Sequence, residues 1–216
     1  MYRQQIKQDE LTTLDWDKLL FDLTAAIEFF QKAGRPLYTR ILLRSGRETI
    51  SRIGADIQFN LRAPGLLDFL GSRLEKFSNV NRTTLAALKQ QIRLGVEAGE
   101  TIDDIAGRVK RVYSSSSSWR AMTIARTETV SSANMASLLG AMDTELVEFK
   151  KWITSRDEDV RSTPYSHVAA EGETVGLDDF FRATGELLKA PATGSIAANS
   201  INCRCVMTYI TKDGEV

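Results

Sequence analysis

Histidine and cysteine are scarce in this 216-residue chain: one His, and two Cys two positions apart near the C-terminus. One imidazole excludes any site built from several, the His-triad zinc enzymes included, and two cysteines cannot form a disulfide framework. Charge of one sign is lacking too. Lys+Arg 28 balance Asp+Glu 28, so the bulk electrostatics call for neither nucleic acid nor an anionic membrane, and any such contact must come from a local patch. No window approaches the roughly 18 consecutive apolar residues of a membrane span, and MYRQQIKQDE has no apolar stretch after its charges. Neither a membrane segment nor a signal peptide is expected, and the chain is placed in a cytoplasm-like compartment. G-x-x-x-x-G-K-[ST] and G-x-G-x-x-G are absent, which argues against nucleotide-driven chemistry. There is no G-x-S-x-G elbow, and Ser166 and His167, as neighbours on an extended segment, point apart; a Ser-His-Asp hydrolase is disfavoured.

What is present suffices for a core, at 43% hydrophobic residues. From Asp15, a cap, to Phe30, apolar residues recur at helical spacing. Gly34 punctuates, and Pro36 fits the first turn of a second helix running to about Leu61. Ala63-Pro64-Gly65 breaks it ahead of a short helix with Leu66, Phe69 and Leu74. Asn81 opens a further stretch (Leu85, Leu88, Ile92, Val96) that stops near Gly99, and Thr101 with Asp104 resembles a capping box for the next helix, through Ile105 and Val109. Ser114 to Ser118 reads as a loop. From Trp119 to about Asp143 another helix is expected, with Met122, Ala125, Thr129, Ala133, Ala136, Leu139 and Gly140 as a small-residue face for close approach. Arg126 and Glu128 are expected to form a local polar pair on it. Val147–Ile153 and Arg204–Ile210 alternate as strands that pair. The fold class is therefore α+β: mainly helical N-terminal two thirds, then a small α+β module with a short antiparallel sheet. Three regions are expected: a partner-docking helical region over 1–80, a helical part over 81–145, and the module over 146–216.

Chemistry-bearing residues gather in that module: Trp152, Asp157, Asp159, Arg161, His167 and Asn202-Cys203-Arg204-Cys205. Two cysteines two apart on a strand present both sulfurs on one side, where self-bridging is awkward but a soft metal is well served. With His167 and a carboxylate from Asp157 or Asp159 they would complete a tetrahedral zinc site. The alternative is that His167 makes a charge-assisted bond to an aspartate and the cysteines are small core residues. Elsewhere, Arg40, Arg44 and Arg47 share one helix face in a region, Arg35 to Arg62, offset only by Glu48 and Asp56. That stripe would suit DNA phosphates or an acidic partner, or else is a solvated face with local pairing.

The order of blocks carries a resemblance. NRTTLAAL (Asn81 to Leu88), EAGETIDDIA (Glu97 to Ala106), RAMTIARTET (Arg120 to Thr129), Asn134, KKW (Lys150 to Trp152), Asp157 to Arg161, His167, Gly172, Phe181, Pro191 and NCRC (Asn202 to Cys205) resemble the phage Mu F-like family of minor head, or head-morphogenesis, proteins of tailed bacteriophages. The resemblance covers about Asn81 to Ile210. It implies a structural protein with no catalytic or cofactor-binding residues, carried in the phage head at the portal vertex and present in the host cytoplasm during assembly. Its implied partners are the portal protein, and also scaffold, major capsid protein and packaged DNA. Its implied roles are procapsid assembly, DNA packaging or DNA delivery. Some relatives append toxin domains; this chain stops six residues after Ile210, and no such appendage is expected. Many relatives have C-x-x-C where this chain has Pro164 to His167, and H-P-x-C-R-C where it has Ser200 to Cys205. Pro164 and Ser200 cannot bind zinc, so His167, Cys203 and Cys205 would need an aspartate or water as the fourth ligand. Two functional alternatives stand beside the structural role. One is a metal-dependent nuclease or hydrolase acting on DNA or cell wall around His167 and the aspartates; the other is a DNA-binding module using Arg40, Arg44 and Arg47.

Overall fold

Pro36 sits inside a helix rather than at the start of one. In a computed structural model, which describes residues 23–101, 104, 107–108, 111–112 and 117–216, the first element is a single helix, α1 (Leu23–Ile53), with Gly34 and Pro36 both within it. A proline there removes one backbone bond. Burial of Tyr38 and Leu42 in the following turns supplies packing that outweighs the loss. The helix stops at Ile53, not Leu61, because Gly54 takes a left-handed φ of 83° and Ala55 N–H donates back to Ile50, a glycine-terminated cap. The cap expected at Asp15 lies outside the described residues. Pro64 opens α2 (Pro64–Glu97), so the two expected helices on either side of Asn81 are one. Between Gly71 and Gly95 the sequence holds no Gly or Pro to end it.

The chain divides into two compact units, Met1–Gly34 with Leu74–Ser117, and Arg35–Arg73 with Ser118–Val216. In the first, α2 ends at Glu97, with Gly99 (φ 66°) just beyond it and Glu100 N–H donating to Gly95 C=O. The capping box follows. Asp104 accepts from the Thr101 amide and hydroxyl, and its own amide donates to Thr101 Oγ1, so both halves are made with Asp in place of Glu. Arg108 binds Glu100 through two bonds of 2.6 Å, which holds the Glu100 carboxyl below its usual range. Ile105, Val109 and Ser114 to Ser116 lie outside the described residues.

The second unit is built on α3 (Ser117–Thr144) and a four-stranded antiparallel sheet ordered β2-β1-β3-β4. Its strands are β1 (Val147–Ile153), β2 (Thr174–Gly176), β3 (Val206–Thr211) and β4 (Gly214–Glu215). A register shift between Val147 and Phe149 lets Val147, Lys150 and Trp152 all face inward, as a bulge does. Trp152, Met207 and Tyr209 from the sheet meet Leu138 and Ala141 from α3 and Phe181, Leu188, Cys203 and Cys205 from the loops in one core. Lys150 is wholly buried; its Nζ donates to the Lys189 carbonyl and lies over the Phe181 ring. Burial, then the nearby Lys189 charge, pushes its pKa down to about 8.

Close approach of α3 to α1 occurs at Gly140, where an added Cβ would stand 2.9 Å from the Gly46 carbonyl oxygen. The expected small-residue face is only partly right. Ala136 and Gly140 are buried, but Met122, Ala125 and Thr129 are exposed, and Ser131, Ser132, Asn134, Leu138 and Ala141 do the packing. The expected Arg126–Glu128 pair is also corrected. Arg126 is exposed, while Glu128 accepts from Tyr38 OH at 2.8 Å and lies 3.2 Å from the buried Arg73 Nε. Burial, then the Glu128 carboxylate, pushes the Tyr38 phenol above the tyrosine range. Neighbours on one helix diverge by about 200° over two positions, so Glu128 reaches other helices, not Arg126.

Candidate functional site

Cys203 and Cys205 lie on an extended arm just before β3, which begins at Val206, two residues after the Arg204 expected. Alternation still aims both sulfurs inward. The arm is held from three sides: Asn202 N–H donates to Thr127 Oγ1, Cys205 C=O accepts from Asn134 Nδ2, and Arg204 reaches out to Asp157 at 2.6 Å and Asp159 at 3.5 Å. Asn202 takes a left-handed φ of 57°, a conformation Asn tolerates better than most residues.

His167 comes from the loop after β1. Its amide donates to the Arg161 carbonyl, and its ring meets the Trp152 edge at 5.5 Å between centroids, with Phe181 against Trp152 in turn. Nδ1 lies 3.7 Å from Cys203 Sγ and 3.5 Å from Cys205 Sγ. These three side chains, all buried, are the ones among the described residues whose donor atoms converge as a metal's ligands would, within 4.8 Å of one another. The aspartates do not join them: both are exposed and pair with Arg204.

The partner of His167 is also not the aspartate expected for it. Its Nε2 faces Asn199 Oδ1 at 3.2 Å. Asn199 Nδ2 donates to Glu186 Oε2 at 2.8 Å, and a carboxylate there accepts only from the amide nitrogen, which fixes Asn199 with its oxygen toward the ring. Nε2 therefore carries a proton, and Nδ1 faces the two sulfurs. Glu186 is itself held by Ser195 and Ile196. Asn199 and Glu186 were missed in the sequence, because loop residues of this kind carry no periodic signal. Between the thiols, a bond from Cys205 to Cys203 holds Cys203 below the usual thiol range and, with burial, pushes Cys205 above it.

The three donors border a small cleft of about 30 Å³ that Asp159, Arg161 and Asn202 also line. Arg161 Nη2 donates at 3.5 Å to Ile201 C=O, but its Nε and Asn202 Oδ1 are buried with no protein partner. Ser166 Oγ accepts from Ala169 N–H, the role of a turn cap. On α1, Arg40, Arg44 and Arg47 are all exposed, and Arg44 pairs with Glu48 at 2.8 Å.

Placed among known proteins, the chain falls in a class of phage proteins. Its family is the one described as Phage Mu protein F like protein, which matches residues 86–208, more than half of the chain, and the chain belongs to it. The chain is also 28% identical over 139 residues, 62% of its length, to a protein of Enterococcus faecalis (strain ATCC 700802 / V583) named NAD(+)--arginine ADP-ribosyltransferase EFV. It spans 28% of that relative's length. No solved structure matches the chain. Among the described residues no helix is long and apolar enough to cross a membrane.

Proposed function

We propose that this chain is a minor head protein that associates with the portal protein at the portal vertex and acts in procapsid assembly, DNA packaging or DNA delivery. The observation that carries this reading is the family match over residues 86–208. Scaffold and major capsid protein are further partners on the same reading. The test is co-sedimentation of purified protein with portal assemblies: a saturable complex is expected, and a monomer with no affinity for portal, scaffold or capsid protein would sink it.

A second reading is direct contact with packaged DNA, favoured by the exposure of Arg40, Arg44 and Arg47 on one face of α1. Binding should weaken steeply with salt, and neutralising the three arginines should flatten that slope by roughly one unit per lost phosphate contact. Binding that ignores salt would leave the stripe as surface. A third reading, an enzyme, is favoured by the convergence of His167, Cys203 and Cys205 at a cleft. Chelator-sensitive nuclease or hydrolase activity, lost in His167→Ala, would support it. Transfer of ADP-ribose is the named activity of a relative of which this chain matches only 28%, and incubation with NAD+ and an arginine-bearing acceptor tests for it directly.

A further inference from the structure

Three observations meet at the cysteine arm. The first is distance. In a tetrahedral zinc site with Zn–S about 2.3 Å and Zn–N about 2.05 Å, the edge from sulfur to nitrogen is about 3.6 Å. The two edges in this protein are 3.7 and 3.5 Å. Those lengths match the edges of a coordination polyhedron, and they are also within the reach of a thiol–imidazole hydrogen bond.

The second is the imidazole's orientation. A histidine bound to a metal through one nitrogen characteristically donates its other N–H to a fixed acceptor, which sets the tautomer and aims the lone pair. Here Nε2–H meets Asn199 Oδ1, and Glu186 locks that amide from behind. The relay aims Nδ1 at the sulfurs. Packing against Trp152 fixes the plane of the ring.

The third is the side left open. Asn202 Oδ1 and Arg161 Nε, both lining the cleft beside the three donors, have no protein partner although buried. Buried polar atoms of this kind are satisfied by something held in the cavity. A water on a metal's fourth position offers a proton to the first and an oxygen to the second.

We infer that His167 Nδ1, Cys203 Sγ and Cys205 Sγ form a three-ligand Zn2+ site whose fourth position faces the cleft. Two thiolates neutralise the ion's charge, which a buried site requires, and soft sulfur with imidazole selects zinc over magnesium or calcium. A three-ligand set with an open position is the kind found in catalytic rather than structural zinc sites. The site does not depend on the portal reading.

The experiment uses Co2+ as a spectroscopic stand-in for Zn2+ in the full chain stripped with chelator. A single Co2+ should give intense tetrahedral ligand-field bands and a near-ultraviolet thiolate charge-transfer band, both displaced by Zn2+ and not by Mg2+. Absence of these bands in the unsubstituted protein overturns the site. Cys203→Ser and Cys205→Ser should each diminish the charge-transfer band, and an unchanged band in either excludes that ligand. Glu186→Gln leaves all three ligands in place and should weaken Zn2+ affinity about 10-fold or more; unchanged affinity overturns the relay's part. Adding azide should shift the Co2+ bands, and no shift overturns the open fourth position.

Discussion

The side-chain amide of Asn134 donates to the Cys205 carbonyl at 2.9 Å, and with its second N–H to the Pro191 carbonyl at 3.0 Å. One helix residue thus fastens two separate loop segments to α3 in a buried setting, where neither carbonyl has water to fall back on.

Asn134→Ala should therefore be costly. Leaving buried acceptors unpaired costs about 1–3 kcal/mol for each group. A urea titration should show the midpoint falling well below that of the parent, and Asn134→Asp should be worse, because it sets a carboxylate against two carbonyl oxygens. A change under about 0.5 kcal/mol would mean the arm is held by its other ties.

Glu128 and Arg73 form a charge pair at 3.2 Å between α3 and α2 with little solvent around it. The Arg73 Nε–H is not aligned for a hydrogen bond, so the attraction is mainly charge, helped by the Phe69 ring at 5.3 Å. Glu128→Gln keeps the acceptor for Tyr38 but leaves a buried guanidinium unpaired, at a cost of about 3 kcal/mol. Thermal unfolding should reveal it, and the double variant Glu128→Gln with Arg73→Met should recover part of the loss.

Lys150 gives stability a distinctive slope with pH. Folded, its ammonium gives up its proton near pH 8, whereas the ordinary lysine value is 10.5. Between those values the unfolded chain binds more protons, so stability rises with pH across that window. Lys150→Met should flatten the rise while forfeiting the bond to Lys189. Unfolding free energies measured at intervals from pH 7 to 9.5 will show whether the slope follows the lysine.

Glu186 should contribute to the loss of stability in acid. Burial alone would raise its pKa, but bonds from Asn199, Ser195 and Ile196 outweigh that and hold the carboxyl below its usual range. Its contribution is complete above the ordinary glutamate value of 4.5 and is lost as pH falls through the folded value. Glu171, bonded to Thr154 and Arg156, behaves alike. Glu186→Gln should lower stability at pH 6 and lessen its decline toward pH 3; an unaltered acid profile would assign the loss to other carboxyls.

The α+β class was legible in the sequence, because strands of seven and six residues with β-branched and aromatic content follow long helical periodicity. The gathering of His167, Cys203 and Cys205 was legible for a different reason: those residue types are so few that their shared module was conspicuous. Helix boundaries were not. Gly34 and Pro36 are strong local breakers, yet burial of Tyr38 and Leu42 overrides them, and such packing is a property of three dimensions. The reach of Glu128 to Arg73 and Tyr38 was hidden for the same reason, since adjacency on one helix suggested Arg126. Asn199 and Glu186 stand 13 residues apart in irregular chain, where no spacing rule links a hydrogen-bonding residue to its partner.

The crossing at Gly46 and Gly140 is a meeting of main chain with main chain. Where two side chains touch, an enlarged one can be accommodated by trimming the other, and second-site revertants are found opposite the lesion. Here neither partner has anything to trim. If Gly140→Ala impairs head assembly, revertants should arise as true reversions or at sites remote from Gly46, and a collection of suppressors clustered at Gly46 would contradict the contact.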